Sequence, residues 1–138
     1  MPSRVPCSVG VDVVEVAHVA AAVSRFGERY VRRVFTTDEA AYCQAAAAPV
    51  AAARLAARFA AKEAAVKALG PDERWTAWRD IEVERGRTGR CTLRLHGAAA
   101  RLAERRGIDR LLLSMSHDAG VAAAFVVALP STSRHGRS

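Results

Sequence analysis

Asp12 sits in the run Cys7-Ser8-Val9-Gly10-Val11-Asp12-Val13-Val14, whose β-branched residues read as a buried strand. An ionised carboxylate there costs several kcal/mol unless a cation or hydrogen bonds compensate it. Two roles are open for it: capping the helix that follows, or holding a metal ion. Gly10, two positions earlier, would let another backbone or a ligand come close. Farther along, Phe59, Glu63 and Lys67 recur at i, i+4 spacing, so one helix face carries an aromatic anchor, a carboxylate and an amine. Arg58 and Lys62 form a second, positive line beside them. This spacing brings Glu63 near buried surface, and it equally fits a surface ion pair with Lys67 worth ~0.3–0.5 kcal/mol. Ser114-Met115-Ser116-His117 opens from a strand into a turn, where the hydroxyls and the imidazole can donate to a phosphate. There is no Walker-type loop, HExxH, GxSxG or GxGxxG, so the commoner phosphate and hydrolase signatures are absent.

The elements that must position these residues follow from periodicity and punctuation. After the first strand a helix runs from about Glu15 to Phe26. Arg25, Arg29, Arg32 and Arg33 are then interleaved with Phe26, Tyr30, Val31 and Phe35 at helical spacing, charged side outward. Thr37 is the expected N-cap of a helix beginning Asp38-Glu39, with Pro49 separating it from the next. Val50 to Leu69 has the composition of a long helix, stopped by Gly70-Pro71. Asp80 to Glu84 and Cys91 to His96 alternate apolar with polar residues around a Gly86–Gly89 turn, which predicts a hairpin. A helix from Gly97 to Arg106 ends at Gly107, and Leu111 to Ser116 and Val121 to Leu129 read as two strands around His117-Asp118-Ala119-Gly120. Residues 1–129 are expected to form one domain, and 130–138 a mobile polar tail.

A chain of 138 residues suits one core, since at that size roughly 65–70% of the unfolded surface is buried on folding. Ala supplies much of the 51% hydrophobic content, and Ala removes little apolar area, so association between subunits would help. The formal charge of +7, carried mostly by Arg, predicts an acidic partner, whether nucleic acid, phosphorylated small molecule or acidic protein. Cys7, Cys43 and Cys91 are odd in number and far apart, against a disulfide framework or a zinc site. No stretch approaches the ~20 apolar residues of a membrane span and the N-terminus lacks a signal-peptide block, so a cytoplasmic location is expected.

Three segments resemble, in order and spacing, the small holo-acyl-carrier-protein synthase type of phosphopantetheinyl transferase. Gly10-Val11-Asp12-Val13-Val14-Glu15 matches GxDxxE, and Arg58-Phe59-Ala60-Ala61-Lys62-Glu63-Ala64-Ala65-Val66-Lys67-Ala68 matches RFxxKExxxKA. Ser114-Met115-Ser116-His117 is similar to the family's SxSH turn, and Asp80-Ile81-Glu82-Val83 to its DIEV strand. The resemblance spans about residues 9 to 129, and the eleven-residue helical signature is its most specific part. It implies an α+β fold with an antiparallel sheet packed on one long helix, assembled as a homotrimer with sites between subunits. By the same resemblance Asp12 and Glu63 would bind Mg²⁺ beside the coenzyme A pyrophosphate, where an ion that prefers six oxygens also takes phosphate and water.

The resemblance further implies that Lys67 neutralises charge on the transferring phosphate and that Arg58 binds another phosphate group. Lys62, Gly70 and Ser116 belong to the expected coenzyme A contacts, and His117, from a neighbouring subunit, would reach the 3′-phosphate. A carrier-protein serine would attack the β-phosphorus, releasing adenosine 3′,5′-bisphosphate, with Glu63 or a metal-bound water taking the proton. Where many relatives have an Arg after the first motif this sequence has His18, and His18, Arg25, Arg29, Arg32 and Arg33 are the expected surface for an acidic acyl carrier protein. The rival reading is a non-enzymatic basic module for nucleic acid or an acidic protein. It lacks a helix-turn-helix, zinc-finger or aromatic stacking signature, so no nucleic-acid partner is expected.

Overall fold

Ala48–Leu69 forms the longest helix, and its composition dictates how it packs. In order along the chain it is the fourth helix, α4, after α1 (Val16–Phe26), α2 (Glu28–Val34) and α3 (Thr37–Gln44). Ala56, Ala57, Ala60, Ala61, Ala64, Ala65 and Ala68 are all buried, so α4 presents methyl groups rather than long side chains to its neighbours. Small side chains let a sheet approach the helix backbone closely. The strand β1 (Ser8–Glu15) uses this: a Cβ on Gly10 would lie 1.9 Å from the Ala64 carbonyl oxygen. Gly10 therefore admits another backbone, that of α4. Helix α4 starts earlier than its composition suggests, because Pro49 sits in its first turn, where no intrahelical partner for an N–H is needed. It ends at Gly70 with φ of 64°.

The structure, a computed structural model, describes residues 7–131. Strand β1 pairs antiparallel with β5 (Val121–Pro130), which pairs antiparallel with β4 (Ile108–Asp118), giving the order β1-β5-β4. In register, Asp12 stands opposite Ala124, and Ala124 opposite Met115. The other two strands, β2 (Ile81–Arg85) and β3 (Cys91–Leu95), form a separate antiparallel hairpin, so the expected single sheet is two. Helix α5 (Gly97–Arg105) follows, with the Ala98 N–H donating to the Asp80 carboxylate at 2.8 Å.

Three expectations need correction. The first strand is not buried on both sides: Gly10 turns to α4, while Val9, Val11 and Val13 on the other face are exposed. The cap of α3 is Thr36, not Thr37. Glu39 at the third position reaches back to the Thr36 N–H at 2.8 Å while the Thr36 hydroxyl accepts from the Glu39 N–H, a reciprocal box that only this register closes. His117 and Asp118 belong to β4, and the turn shrinks to Ala119 and Gly120, both with positive φ. Pro130 ends β5 and the Ser131 N–H donates to the Gly107 carbonyl, while residues 132–138 of the expected tail lie outside the described residues. Among the described residues no helix is long and apolar enough to cross a membrane.

Candidate active site

The seam between β1 and α4 brings together the chemistry that the first two motifs single out. Lys67 donates to the Val11 carbonyl at 2.9 Å and to the Asp12 carboxylate at 3.1 Å. Ser8 ties the same strand to the helix end through the Ala68 carbonyl at 2.6 Å. Glu63, one turn before Lys67, is half-buried. Burial raises its carboxyl above the usual range, the Asp12 charge adds to the rise and Lys67 opposes it. The two carboxylates therefore feel one another's charge. Among the described residues Glu63 makes no hydrogen bond, whereas Asp12 is held by Lys67.

These contacts exclude one of the two roles left open for Asp12 by the sequence. The cap position of α1 is Glu15, which makes no side-chain cap bond, so Asp12 does not cap that helix. The partner of Lys67 is Asp12 rather than Glu63. Two neighbouring carboxylates, the Glu63 carboxyl raised by burial and by the Asp12 charge, fit a divalent cation that takes its remaining ligands from phosphate and water. No group of three or more His, Cys, Asp or Glu that could hold a metal occurs among the described residues, so protein alone would not fill the coordination shell.

Arg58 and His117 lie elsewhere. At about 100° per residue, Arg58 is turned about 140° from Glu63 around α4, towards the β4 side. There it lines a cleft of about 540 Å³ with Arg54, Arg90, Ser114, Ser116 and His117. One chain thus carries two polar clusters on different faces of α4: carboxylates and an amine at the β1 edge, guanidiniums and an imidazole at the β4 edge. Tyr42, Arg54 and Arg85 in this cleft escaped the sequence reading. The i, i+4 spacing of Arg54 and Arg58 was the available signal, whereas Tyr42 and Arg85 arrive from α3 and β2.

Lys62 is the residue whose expected role does not fit its place. It is 0% exposed, and its ammonium is spent on the Glu39 carboxylate at 2.8 Å, the Trp78 carbonyl at 3.1 Å and the Ile81 carbonyl. Burial lowers its pKa, with Glu39 opposing. Glu39 in turn accepts from the Val83 N–H at 2.7 Å. Lys62 locks α3, α4 and β2 together and turns no charge towards a ligand, because the next residue in the motif, Glu63, is rotated ~100° away from that interior. Gly70 is exposed at the helix end, its carbonyl accepting from Arg106, beside a cleft of about 320 Å³.

The arginines of the basic stretch are divided between two helices. Arg25 ends α1 over the exposed Phe26 ring at 5.2 Å, Gly27 breaks the helix at φ of 62°, and Arg29, Arg32 and Arg33 stand exposed on α2. Val31, Val34 and Phe35 bury its other face. His18 is exposed on α1 and lies 3.2 Å from Glu15.

Residues 8–126 match the model of the 4′-phosphopantetheinyl transferase superfamily. The holo-[acyl-carrier-protein] synthase of Anaeromyxobacter dehalogenans (strain 2CP-C) is 50% identical over 122 residues, covering 86% of this chain and 92% of that protein. That of Solibacter usitatus (strain Ellin6076) is 43% identical over 119 residues, covering 86% and 94%. Among solved structures, the ACPS–CoA complex of Chronobacterium ammoniagenes has a TM-score of 0.77 at 34% identity, covering 91% of this chain and 98% of that one. The Helicobacter pylori holo-[acyl-carrier-protein] synthase in complex with coenzyme A has a TM-score of 0.74 at 28% identity, covering 87% and 98%. With most of the chain matched in sequence and in fold, and with the motif carboxylates and lysine converging at one seam, the chain belongs to the holo-[acyl-carrier-protein] synthase family of 4′-phosphopantetheinyl transferases.

Proposed function

We propose that the chain transfers the 4′-phosphopantetheine group of coenzyme A to a serine hydroxyl of an acyl or peptidyl carrier protein, releasing adenosine 3′,5′-bisphosphate. The observation that carries this reading is the convergence of Asp12 from β1 with Glu63 and Lys67 from α4, Lys67 bridging to Asp12 at 3.1 Å. Asp12 and Glu63 are the residues that would hold Mg²⁺. When bound, the ion supplies positive charge against the pyrophosphate oxygens and fixes their orientation. Lys67, 54% exposed, offers its remaining donor capacity to a non-bridging oxygen of the β-phosphate. The serine oxygen forms the new bond to the β-phosphorus, the bond to the bridging oxygen breaks, and that oxygen leaves with the nucleotide. Glu63, without a hydrogen-bond partner of its own, takes the serine proton.

The two polar clusters on opposite sides of α4 support a site completed between subunits, with the cleft of Arg58 and His117 receiving the nucleotide end of coenzyme A held by a neighbour. An exposed apolar face supports the association itself: Val9, Val11, Val13, Leu112, Val121 and Phe125 stand on the side of the three-stranded sheet away from α4. Three copies is the number that the family resemblance implies. His18, Arg25, Arg29, Arg32 and Arg33 form the surface for an acidic carrier.

Glu63→Gln keeps shape and removes charge, and with Asp12→Asn it tests the reading. Each variant is expected to fold and to lose transfer to apo-carrier in the presence of coenzyme A and Mg²⁺. Near-normal turnover in either would sink the assignment. Reversing Arg29 and Arg32 to Glu should raise KM for the carrier and leave KM for coenzyme A unchanged. A flat carrier KM removes the basic surface from recognition.

A further inference from the structure

The last turn of α4 carries Lys67, and two residues outside the family motifs hold that turn in place. Carbonyls at a helix C-terminus have no partner within the helix. Here the Ser8 hydroxyl donates to the Ala68 carbonyl at 2.6 Å, and Arg106, just past α5, donates to the Gly70 carbonyl and lies 3.3 Å from the Asp72 carboxylate. Arg106 also sets a positive charge at the negative end of the α4 dipole. Ser8, Gly10 and Asp12 are alternate residues of β1 and share the face turned to α4. Ties run both ways along this stretch of about 13 Å: Ser8 donates from strand to helix, and Lys67 donates from helix to the Val11 carbonyl at 2.9 Å and the Asp12 carboxylate at 3.1 Å. A Lys stem is long and flexible, and Lys67 is 54% exposed in the turn where a helix frays. Among the described residues no side chain of α4 itself holds its ammonium.

We infer that Ser8 is a positioning residue, backed by Arg106, that pins the last turn of α4 to β1 so that the Lys67 ammonium stands over Asp12 instead of sweeping through solvent. The carbonyl that Ser8 holds belongs to the residue directly after Lys67, so fixing it fixes the direction in which the Lys67 side chain leaves the helix. Ser8 acts through Lys67 and not on the phosphate, because a hydroxyl has one proton to donate and this one is spent on Ala68. Without that bond the Ala68 carbonyl turns to water, the turn loosens, and the amine loses its fixed approach to the strand. The inference rests on the transferase reading, in which Lys67 meets the β-phosphate, and it adds the residues that aim it.

Lys62 and Lys67 are the chain's lysines, and Lys62 is fully buried, so acetic anhydride labelling read by peptide mass reports on Lys67 with Lys62 as an internal control. Ser8→Ala and Arg106→Gln should each raise the labelling rate of Lys67 about two- to tenfold, the factor that one hydrogen bond is worth, and leave Lys62 unlabelled. Each should lower kcat for transfer by about the same factor with KM for the carrier unmoved, since positioning and not docking is lost. Ser8→Thr keeps the hydroxyl and should restore both readouts. Arg106, exposed at the end of α5, can be changed without disturbing the core, so Arg106→Gln decides the matter if Ser8→Ala fails to fold. Unchanged Lys67 labelling in the folded variants, or labelling of Lys62 alongside it, overturns the pin, and Lys67 released with kcat unmoved overturns its part in the reaction. A wild type that modifies no carrier while the variants release Lys67 keeps the pin and sinks the transferase reading; active transfer with no release does the reverse.

Discussion

Gly10→Ala is a one-carbon change remote from any proton transfer, and it should nevertheless abolish most of the activity. The added Cβ would lie 1.9 Å from the Ala64 carbonyl oxygen and 2.9 Å from both the Ala64 carbonyl carbon and the Ala68 nitrogen, whereas ordinary contact begins at 3.4 Å. All three atoms are helix backbone and cannot swing aside, so β1 must retreat from α4 by about 1.5 Å. Asp12 is two residues along the same strand and on the same face, and it moves with it, away from Glu63 and Lys67. Misplacement by about 1 Å costs on the order of 100-fold in rate when the chemistry depends on positioning, and the strain itself costs ~1–3 kcal/mol of stability. For a domain of this size that lowers Tm by roughly 3–15 °C. Steady-state transfer and thermal unfolding should be measured on the same preparation well below Tm. A variant with wild-type kcat and wild-type Tm would refute the close approach of strand and helix and, with it, the account of how Asp12 is aimed.

The remaining expectations concern the scaffold. Lys62→Met leaves the Glu39 carboxylate buried without its counter-charge, at a cost of ~3–5 kcal/mol in urea unfolding, and adding Glu39→Gln should recover much of it; equal loss in single and double variants contradicts a buried pair. Phe125→Glu places a charge on the exposed apolar sheet face and should leave a monomer with little activity by size-exclusion and transfer assays; an unchanged assembly removes that face from the interface. Burial raises the Glu82 carboxyl, but hydrogen bonds with His96 and Thr36 outweigh it and hold it below the ordinary 4.5, so its contribution is full above that value and is lost as pH falls through the lower folded value. His96→Gln should therefore lessen the acid loss of stability between those limits, as followed by Tm against pH, and an unaltered acid limb contradicts it.

The chemical residues were more legible than their surroundings. Asp12 was visible as a carboxylate in a valine run, whereas the i, i+4 spacing of Glu63 and Lys67 equally fits a surface ion pair, and the eleven-residue helical signature from Arg58 to Ala68 is what singled them out. The Ala-rich helix hid its own orientation: with methyl groups on several faces, periodicity could not tell that Lys62 points inward and Glu63 towards the seam. The buried Lys62–Glu39 pair and the Tyr42 cluster join residues 23 positions apart and from three elements, and no local pattern announces such contacts. Thr36 and Thr37 are equally good caps by type, and only the reach of Glu39 decides between them. The split into a three-stranded sheet and a separate hairpin likewise depends on pairing, which alternation along one strand does not specify.

The central claim is that this chain moves a phosphopantetheine group, and intact mass spectrometry of the acceptor tests it most directly. The protein should be incubated with coenzyme A, Mg²⁺ and a panel of apo-carriers from fatty acid, polyketide and peptide synthesis. At least one carrier should gain the mass of a single phosphopantetheine arm, with adenosine 3′,5′-bisphosphate released in equal amount and neither product formed by Asp12→Asn. Carriers that all keep their apo mass, with the protein folded and coenzyme A intact, would contradict it.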